Sequence, residues 1–288
     1  MRRMLDGTVA VVTGSSRGAG RGIALALGDG GATVYVTGRT SRNGAKPLDG
    51  APGTVEDVAE EVTKRGGRGI PFQVDLTSPG QVAALFERVD RTHGRIDILA
   101  NSVWGGNETV ELEGWGHPFW QQPLAEEWRR TMEAGVLAYL LASAEAARRM
   151  VEQGAGLIVH TTDGLAADGA RPYSGQIFWD LAHLAIDRMA ATMAHELRAH
   201  RVAVLTLMPG FIRTERVLMH MVSEEVKRAF RFDLSETPEY IGRAVVALAT
   251  DPMVMRRTGT VAFVADLARD YRFTDVDGRY VSRFDPSR

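Results

Sequence analysis

The chain has 288 residues and a formal net charge of −2, with 34 Lys and Arg against 36 Asp and Glu. This balance gives no electrostatic signature of a nucleic-acid partner or an anionic membrane surface. The chain contains no cysteine, which excludes disulfides, thiolate nucleophiles and zinc sites built on cysteine. We expect a cytoplasmic protein, because no apolar signal region opens the sequence and no run approaches the roughly 18 apolar residues of a membrane span.

Apolar runs rich in β-branched residues alternate with amphipathic stretches along the whole chain. In chain order, the predicted strands are residues 8–13, 33–37, 70–74, 96–101, 156–162, 202–207 and 260–265. The predicted helices are residues 18–28, 54–65, 79–92, 125–151 and a long helix that ends near residue 200. Thr54 is the expected N-cap of the second helix, because Asp57 follows it three residues later.

The strands do not alternate strictly between apolar and polar residues, and helices follow them. This pattern is typical of a parallel sheet that helices cover on both faces. Two stretches depart from it: residues 39–53 are loop-like, and residues 101–123 are rich in Trp and Pro. Neither has the composition of a linker, and we find no internal repeat. We therefore predict one doubly wound, Rossmann-type α/β domain over residues 1–288.

The first predicted strand runs into a glycine-rich loop, Thr13-Gly-Ser-Ser-Arg-Gly-Ala-Gly20. Gly14, Gly18 and Gly20 permit a tight turn, close approach of a pyrophosphate and close packing of the next helix on the strand. The N-terminus of that helix offers backbone N–H groups to phosphates. The position of the loop between a strand and a helix predicts a dinucleotide site.

Arginine at the end of the second strand indicates which dinucleotide binds. An acidic residue there accepts from the 2′-hydroxyl of NAD, whereas an arginine suits the 2′-phosphate of NADP. Here the strand ends in Gly38-Arg39-Thr40, and Arg17 of the glycine loop is placed to reach the same phosphate. We therefore predict NADP(H) as the cofactor, since a guanidinium matches phosphate oxygens with two parallel hydrogen bonds.

The spacing of these motifs resembles the short-chain dehydrogenase/reductase family from about residue 6 to residue 265. The resemblance rests on TGxxxGxG at residues 13–20, Asp75-Leu76, Asn101, and Pro209-Gly210 with Thr214. It implies that Asp75 and Leu76 face the adenine, that Asn101 braces the ribose side, and that Ile212 borders the nicotinamide with Pro209 and Thr214. The cofactor-binding residues predicted in all are Gly14, Ser16, Arg17, Gly18, Gly20, Arg39, Thr40, Asp75, Leu76, Asn101, Ser102, His183, Pro209, Gly210, Ile212 and Thr214.

The chain departs from the family beside the nicotinamide. The family's Asn-Asn-Ala-Gly element reads Asn101-Ser-Val-Trp104 here, so a tryptophan replaces glycine and narrows or reshapes the site. Trp104, Trp115 and Trp120 together favour a bulky, flat or aromatic ligand, although tryptophans also serve as ordinary packing residues.

The catalytic residues of the family are replaced as well. Members reduce carbonyl groups with an Asn, a Ser and a Tyr-x-x-x-Lys pair, in which Tyr gives the proton and Lys lowers its pKa. Counting back 13 residues from Glu196 places His183 at the Lys and Trp179 at the Tyr. Asp163 falls at the Ser, and Gly135 at the Asn.

A second register stays open, because Pro172-Tyr173-Ser174-Gly175 resembles the family's tyrosine context. In that register Tyr173 acts in an ordinary carbonyl reductase, but the position four residues later is Ile177 and not Lys. Our predicted catalytic residues are therefore Asp163, Trp179 and His183, with Tyr173 as the alternative.

Asp163 and His183 suit different chemistry from the pair they replace. Asp163 is predicted at the carboxyl end of a strand, where it acts as an acid, a base or an anchor for a cation, or else caps the turn before Gly164. His183 holds the ribose hydroxyls, relays a proton near neutral pH, or packs. We predict an NADPH-dependent oxidoreductase that reduces C=N in preference to a ketone, with C=C as a third possibility. The alternative is a redox-inactive cyclase, isomerase or binding protein.

The remaining features concern the lid, metals and assembly. The stretch from Met208 to Met221 is rich in Met, and residues 211–236 are predicted to cover the substrate as a flexible apolar lid, although Met at helical spacing also serves as ordinary packing. His195 and His200 are five residues apart, off the same helix face, so we predict no metal. We expect a small-molecule substrate, and the resemblance implies a homodimer or homotetramer formed through the two long helices.

Overall fold

The strands form a single parallel sheet of seven in the order β3-β2-β1-β4-β5-β6-β7. A computed structural model describes residues 3–44, 46–47, 50–106, 117–163, 176–229 and 231–283. The strands are β1 Val9–Thr13, β2 Thr33–Gly38, β3 Arg68–Gln73, β4 Ile98–Asn101, β5 Gly156–Thr161, β6 Val202–Met208 and β7 Val261–Phe263. The strand order reverses between β1 and β4, and a crevice at the carboxyl ends of the strands opens there. The predicted doubly wound fold is confirmed.

Helices cover both faces, and the central strands are apolar because they are buried from both sides. Every residue of β1 is buried, with Ala10 and Val12 in one apolar cluster and Val9 and Val11 in the other. The helices are α1 Gly18–Asp29, α2 Val55–Lys64, α3 Pro79–His93, α4 Leu124–Trp128, α5 Ala138–Gln153, α6 Ile177–Leu197, α7 Glu215–His220, α8 Glu224–Ala229, α9 Pro238–Thr250 and α10 Val264–Tyr271. None of those described is both long and apolar enough to cross a bilayer. The predicted cap of α2 is confirmed, since the Thr54 hydroxyl accepts from the Asp57 N–H at 3.1 Å.

The long helix predicted over residues 125–151 is present, from Leu124 to Gln153, but it is not α-helical throughout. A π-helical segment, Arg129–Leu137, separates α4 from α5. The segment packs directly against Gly105, where an added Cβ would lie 2.7 Å from the Arg130 carbonyl oxygen. Gly135 eases the departure from α geometry, because glycine has the fewest conformational restrictions. Hydrophobic periodicity does not reveal such a local widening of a helix, and π segments are frequent at functional sites.

The predicted lid leaves and rejoins the domain at one point. Arg213 N–H donates to the Glu236 carbonyl and Glu236 N–H donates to the Phe211 carbonyl, both at 2.8 Å. Between these ends the chain forms α7, α8 and a 3₁₀ turn, Phe232–Leu234. The segment 211–236 is therefore a loop closed at its base, and its first part lies over the crevice.

Candidate active site

A cleft of about 460 Å³ lies at the carboxyl edge of the sheet, between the glycine loop and the lid segment. It brings together residues from β1, β2, β4, β5, α6 and the start of the lid. The predicted residues that line it are Gly14, Ser16, Arg17, Gly18, Arg39, Thr40, Asp75, Leu76, Ser102, Asp163, Trp179, His183, Pro209, Gly210, Ile212 and Thr214. Gly20 and Asn101 are not among the lining residues, and Tyr173 lies outside the described part of the chain.

The glycine loop is built by backbone contacts that leave no room for side chains. Gly14 has φ +67°, and a Cβ there would lie 2.5 Å from the Cα of Val103. A Cβ on Gly20 would lie 2.4 Å from the Gly14 carbonyl oxygen, so Gly20 seats α1 on the loop rather than facing the cleft. The resulting cradle at the start of α1 fits the pyrophosphate of a dinucleotide.

The two arginines predicted to recognise a 2′-phosphate lie on the same part of the cleft. Arg17 is held by hydrogen bonds from Nε to the Pro52 carbonyl at 3.2 Å and from Nη2 to the Gly53 carbonyl at 3.0 Å. The same Nη2 donates to the hydroxyl of Thr40 at 3.2 Å. Arg39 is exposed and lines the cleft beside Thr40. The loop of residues 50–53 therefore orients Arg17 toward the end of β2.

Glu215 is a residue of the site that sequence reasoning missed. Its Oε2 accepts from the N–H of Gly18 at 2.7 Å, and its Oε1 lies 3.6 Å from Nη1 of Arg21. The carboxylate thus lies at the N-terminus of α1, where a phosphate is predicted. The available signal is Thr214, whose hydroxyl caps α7 through the Val217 N–H at 3.2 Å and so places Glu215 in the first helical turn.

Asn101 holds the strands together beneath the cleft. Its side chain is fully buried, accepting from the Thr13 hydroxyl at 3.1 Å and donating to the Ser143 hydroxyl at 3.0 Å. Ser143 in turn lies 3.2 Å from Nε2 of His160. Complete burial lowers the pKa of His160 to about 3, so this histidine stays neutral at physiological pH. The Asn101 side chain thus joins β1 to α5, and the role beside the ribose that the resemblance implies stays a prediction.

The three predicted catalytic residues Asp163, Trp179 and His183 are in mutual contact. The Trp179 indole N–H donates to Oδ2 of Asp163, and His183 Nδ1 lies 3.7 Å from the same oxygen. His183 Nδ1 is also 2.9 Å from the Trp179 carbonyl oxygen, which can only accept. We assign the proton to Nδ1 on this ground, which leaves Nε2 of the neutral ring as the acceptor.

This arrangement differs chemically from a phenol beside an ammonium. A carboxylate next to the reacting group favours a cation and opposes an oxyanion. Tyr139 also lines the cleft, but its hydroxyl donates to the Thr161 carbonyl at 3.1 Å, and burial raises its pKa. At this end of the cleft, the described lining therefore offers the carboxylate of Asp163 and the imidazole of His183 for proton transfer and cation binding.

The tryptophans fall into two groups. Trp104 lines the cleft, with ring centroids 5.1 Å from Trp179 and 4.6 Å from His183. Trp120 is 70% exposed and does not line the cleft, so its predicted contact with a bulky or aromatic ligand is wrong. Trp115 lies outside the described residues. Within the described ranges, no three His, Asp or Glu side chains are grouped as metal ligands.

Comparison with known proteins agrees with this geometry. A profile of the short chain dehydrogenase family matches residues 8–224. "Dehydrogenase/reductase SDR family member 1" of Homo sapiens is 40% identical over 292 residues, covering 99% of this chain and 88% of the relative. "NADPH-dependent aldehyde reductase 2, chloroplastic" of Arabidopsis thaliana is 29% identical over 251 residues, covering 86% and 89%. A putative dehydrogenase from Xanthomonas campestris shares the fold, with a TM-score of 0.79, 22% identity and coverage of 99% and 96%.

The chain belongs to the short-chain dehydrogenase/reductase family. The family's enzymes are oxidoreductases that use NAD or NADP, and the cradle at Gly14 and Gly18 fits such a dinucleotide. The predicted identification of the family is thereby confirmed.

Proposed function

We propose that this protein is an NADPH-dependent oxidoreductase that reduces a C=N bond of a bulky small molecule. The observation that carries the proposal is the carboxylate of Asp163 in the cleft, in contact with Trp179 and His183. In the register proposed from the sequence, Asp163 takes the place of the family's serine. We further propose that it acts in the cytoplasm as a homodimer or homotetramer. The exposed leucines of α5 and α6, Leu140, Leu181 and Leu184, support assembly through those helices.

Two features support NADPH over NADH. Arg17 and Arg39 line the cleft at the end of β2, where an NAD-binding site has a carboxylate. Charge-assisted hydrogen bonds from these guanidinium groups suit a 2′-phosphate, which NADH lacks. A relative of this chain is also named as NADPH-dependent.

The charge of Asp163 favours a cationic acceptor. Opposite charges about 4 Å apart attract by roughly 4 kcal/mol at an effective dielectric constant near 20, and like charges repel by the same amount. An iminium carries its positive charge before hydride transfer, so it needs no strong acid at the acceptor atom. A ketone develops an oxyanion instead, which an ionised Asp163 destabilises.

The residues of the chain share the remaining work. Bound NADPH would supply the hydride from a site formed by the glycine loop, the two arginines and Thr214. Asp163 holds the protonated nitrogen of the substrate, and Nε2 of His183 exchanges the proton that converts an imine to an iminium. The Nδ1–H of His183 stays bonded to the Trp179 carbonyl during this exchange, and Asp163 at 3.7 Å stabilises the imidazolium.

The test is a comparison of a cyclic imine, 2-methyl-1-pyrroline, with the matched ketone 2-methylcyclopentanone, in the presence of NADPH. We expect faster turnover of the imine by the wild type, and a loss of about 10- to 1,000-fold in imine kcat/KM in Asp163→Asn. Asp180→Asn is the control, because Asp180 lies in the first turn of α6 but does not line the cleft. Faster ketone turnover by the wild type, or undiminished imine activity in Asp163→Asn, rules the proposal out.

A further inference from the structure

The indole of Trp104 lies where a side chain at position 135 would project. A Cβ built on Gly135 would be 2.8 Å from Cζ3 and 3.0 Å from Cε3 of Trp104. Position 135 is the one that the sequence aligns with the family's catalytic Asn. The indole of Trp104 therefore requires glycine at position 135, because the ring occupies the space that any larger residue there would need.

The orientation of the ring is fixed by close contacts on several sides. A Cβ on Gly106 would lie 2.7 Å from Cε2 of the indole, and a Cβ on Gly105 would lie 2.8 Å from the Cβ of Ala134. The segment of residues 104–106 is thus pressed against the π-helical segment Arg129–Leu137. Trp179 and His183 complete the contacts, with ring centroids 5.1 Å and 4.6 Å away. These contacts hold the indole of Trp104 in one orientation.

We propose that Trp104 is the specificity-determining residue of this site, that Gly135 is the residue that makes room for it, and that together they select a substrate with a flat, unsaturated ring. This inference rests on the proposed function, since it concerns the same cleft. An aromatic ring in offset or edge-to-face contact with Trp104 gains stabilisation beyond its buried area, which comes from the charge distribution of the two π systems. A saturated ring of the same size has no such π system and gains only the buried area. Asp163, whose carboxylate accepts from the Trp179 indole, gives the site a preference for a positively charged ligand. The ligand class is therefore a cationic nitrogen attached to or within an aromatic ring system.

The pairing of the two residues is tested by thermal unfolding of Gly135→Ala, Trp104→Ala and the double variant. In a helical segment, Ala is ordinarily more stable than Gly. With Trp104 present, the new methyl group clashes with the ring, and we expect the Tm to fall by about 2–4 °C. In the Trp104→Ala background the same change should leave the Tm unchanged or raise it. An effect of equal sign and size in both backgrounds overturns the pairing.

The selectivity is tested by titrating the protein–NADP⁺ complex with two amines of the same skeleton and charge, 1,2,3,4-tetrahydroisoquinoline and decahydroisoquinoline. We expect the aromatic amine to bind about 2- to 10-fold more tightly to the wild type. Trp104→Ala should abolish this preference. Trp120→Ala should keep it, because Trp120 is exposed and does not line the cleft. Equal affinities in the wild type, no binding of either amine, or an unchanged preference in Trp104→Ala overturns the inference.

Failure of the proposed function gives a different result. A protein that reduces no imine but shows the preference that depends on Trp104 contradicts the proposed reaction alone. A protein that reduces the imine with the same preference in Trp104→Ala contradicts the role of Trp104 alone.

Discussion

The cofactor end and the catalytic end of the cleft are made in different ways. At the cofactor end, backbone conformation and the absence of side chains form the site, as at Gly14 and Gly20. At the catalytic end, side chains form the candidate site: Asp163, which follows β5, contacts Trp179 and His183 of α6. A change at Gly20 would displace a helix, whereas a change at Asp163 leaves strand and helix in place. The catalytic end of a family fold can therefore change its chemistry while the cofactor end is retained.

The largest effect is expected at the cofactor end, where Arg39 should set the preference for NADPH over NADH. Arg39→Ala should remove about 10- to 150-fold of the preference for NADPH over NADH, which corresponds to roughly 1.5–3 kcal/mol for a charge-assisted hydrogen bond. Titration of wild type and variant with both cofactors measures the ratio. Arg42→Ala is the matched control, since Arg42 is three residues away and paired with Asp57 and Glu60. A wild type with equal affinity for both cofactors breaks the assignment.

The next effect tests the placement of the catalytic helix. His183→Ala should lower kcat/KM by about tenfold or more, because it removes the group that we propose exchanges the substrate proton. Tyr173→Phe should change it little, because our alignment puts Trp179 and not Tyr173 at the family's tyrosine. Steady-state kinetics of the two variants with the same substrate decide the matter. The reverse outcome, with Tyr173→Phe inactive and His183→Ala near normal, means that the register is wrong.

A smaller effect is expected from Glu215, where the lid meets the cofactor end. Its carboxylate bonds the Gly18 N–H at 2.7 Å and would repel a nearby phosphate. Glu215→Gln should tighten NADPH and NADH about threefold alike, without changing their ratio. Glu225→Gln, on the exposed start of α8, serves as the control. Weaker binding of both cofactors to Glu215→Gln would mean that the carboxylate supports the site rather than competing with phosphate.

The smallest expected effect is on the pH dependence of stability, and it involves Glu236 at the base of the lid. Burial raises the pKa of Glu236 to about 8; Asp275 also raises it, while the Gly210 N–H and Arg213 act in the opposite direction. In the unfolded chain the carboxyl ionises near its ordinary pKa of 4.5. The folded state therefore binds more protons than the unfolded state between these values, so this group's contribution to stability is lost as pH rises through that range.

Glu236→Gln, which mimics the protonated acid, should remove this dependence. The difference in Tm between the variant and the wild type should be near zero at about pH 4.5 and should grow to several degrees at about pH 8, because the wild type loses stability. Thermal unfolding across this range measures it. A difference that is the same at both ends shows that Glu236 does not keep its proton in the folded protein.

The sequence predicted the features that repeat with the period of a strand or helix or that depend on glycine. The order of strands and helices follows from apolar runs, and the turn at Gly14 follows from the conformation that only glycine adopts readily. Arg17 and Arg39 could be placed together because Arg39 directly follows β2 and Arg17 lies in the glycine loop after the neighbouring strand β1. The contact among Asp163, Trp179 and His183 was also foreseeable, since a strand end and the first turns of the next helix meet at one edge of the sheet.

Other features depend on contacts between distant parts of the chain, and no local pattern records them. The π-helical segment packs against Gly105, a residue outside that helix. The contact of Glu215 with Gly18 joins residues that are 197 positions apart. The sequence grouped Trp120 with the tryptophans that favour an aromatic ligand, but its side chain is exposed to solvent. These features follow from the three-dimensional arrangement, which residue type and spacing do not determine.

We propose that NADPH, bound at the cofactor end of the cleft, gives its hydride to a cationic acceptor. The most direct measurement is a competition between 2-methyl-1-pyrroline and 2-methylcyclopentanone for deuterated NADPH. The deuterium replaces the hydrogen on nicotinamide C4 that is transferred as hydride. Mass spectrometry then reads the label in each product. We predict deuterium in the ring carbon of the amine and little in the alcohol. Label mainly in the alcohol would contradict the account of Asp163, and label in neither product would show that the protein does not transfer hydride to these acceptors.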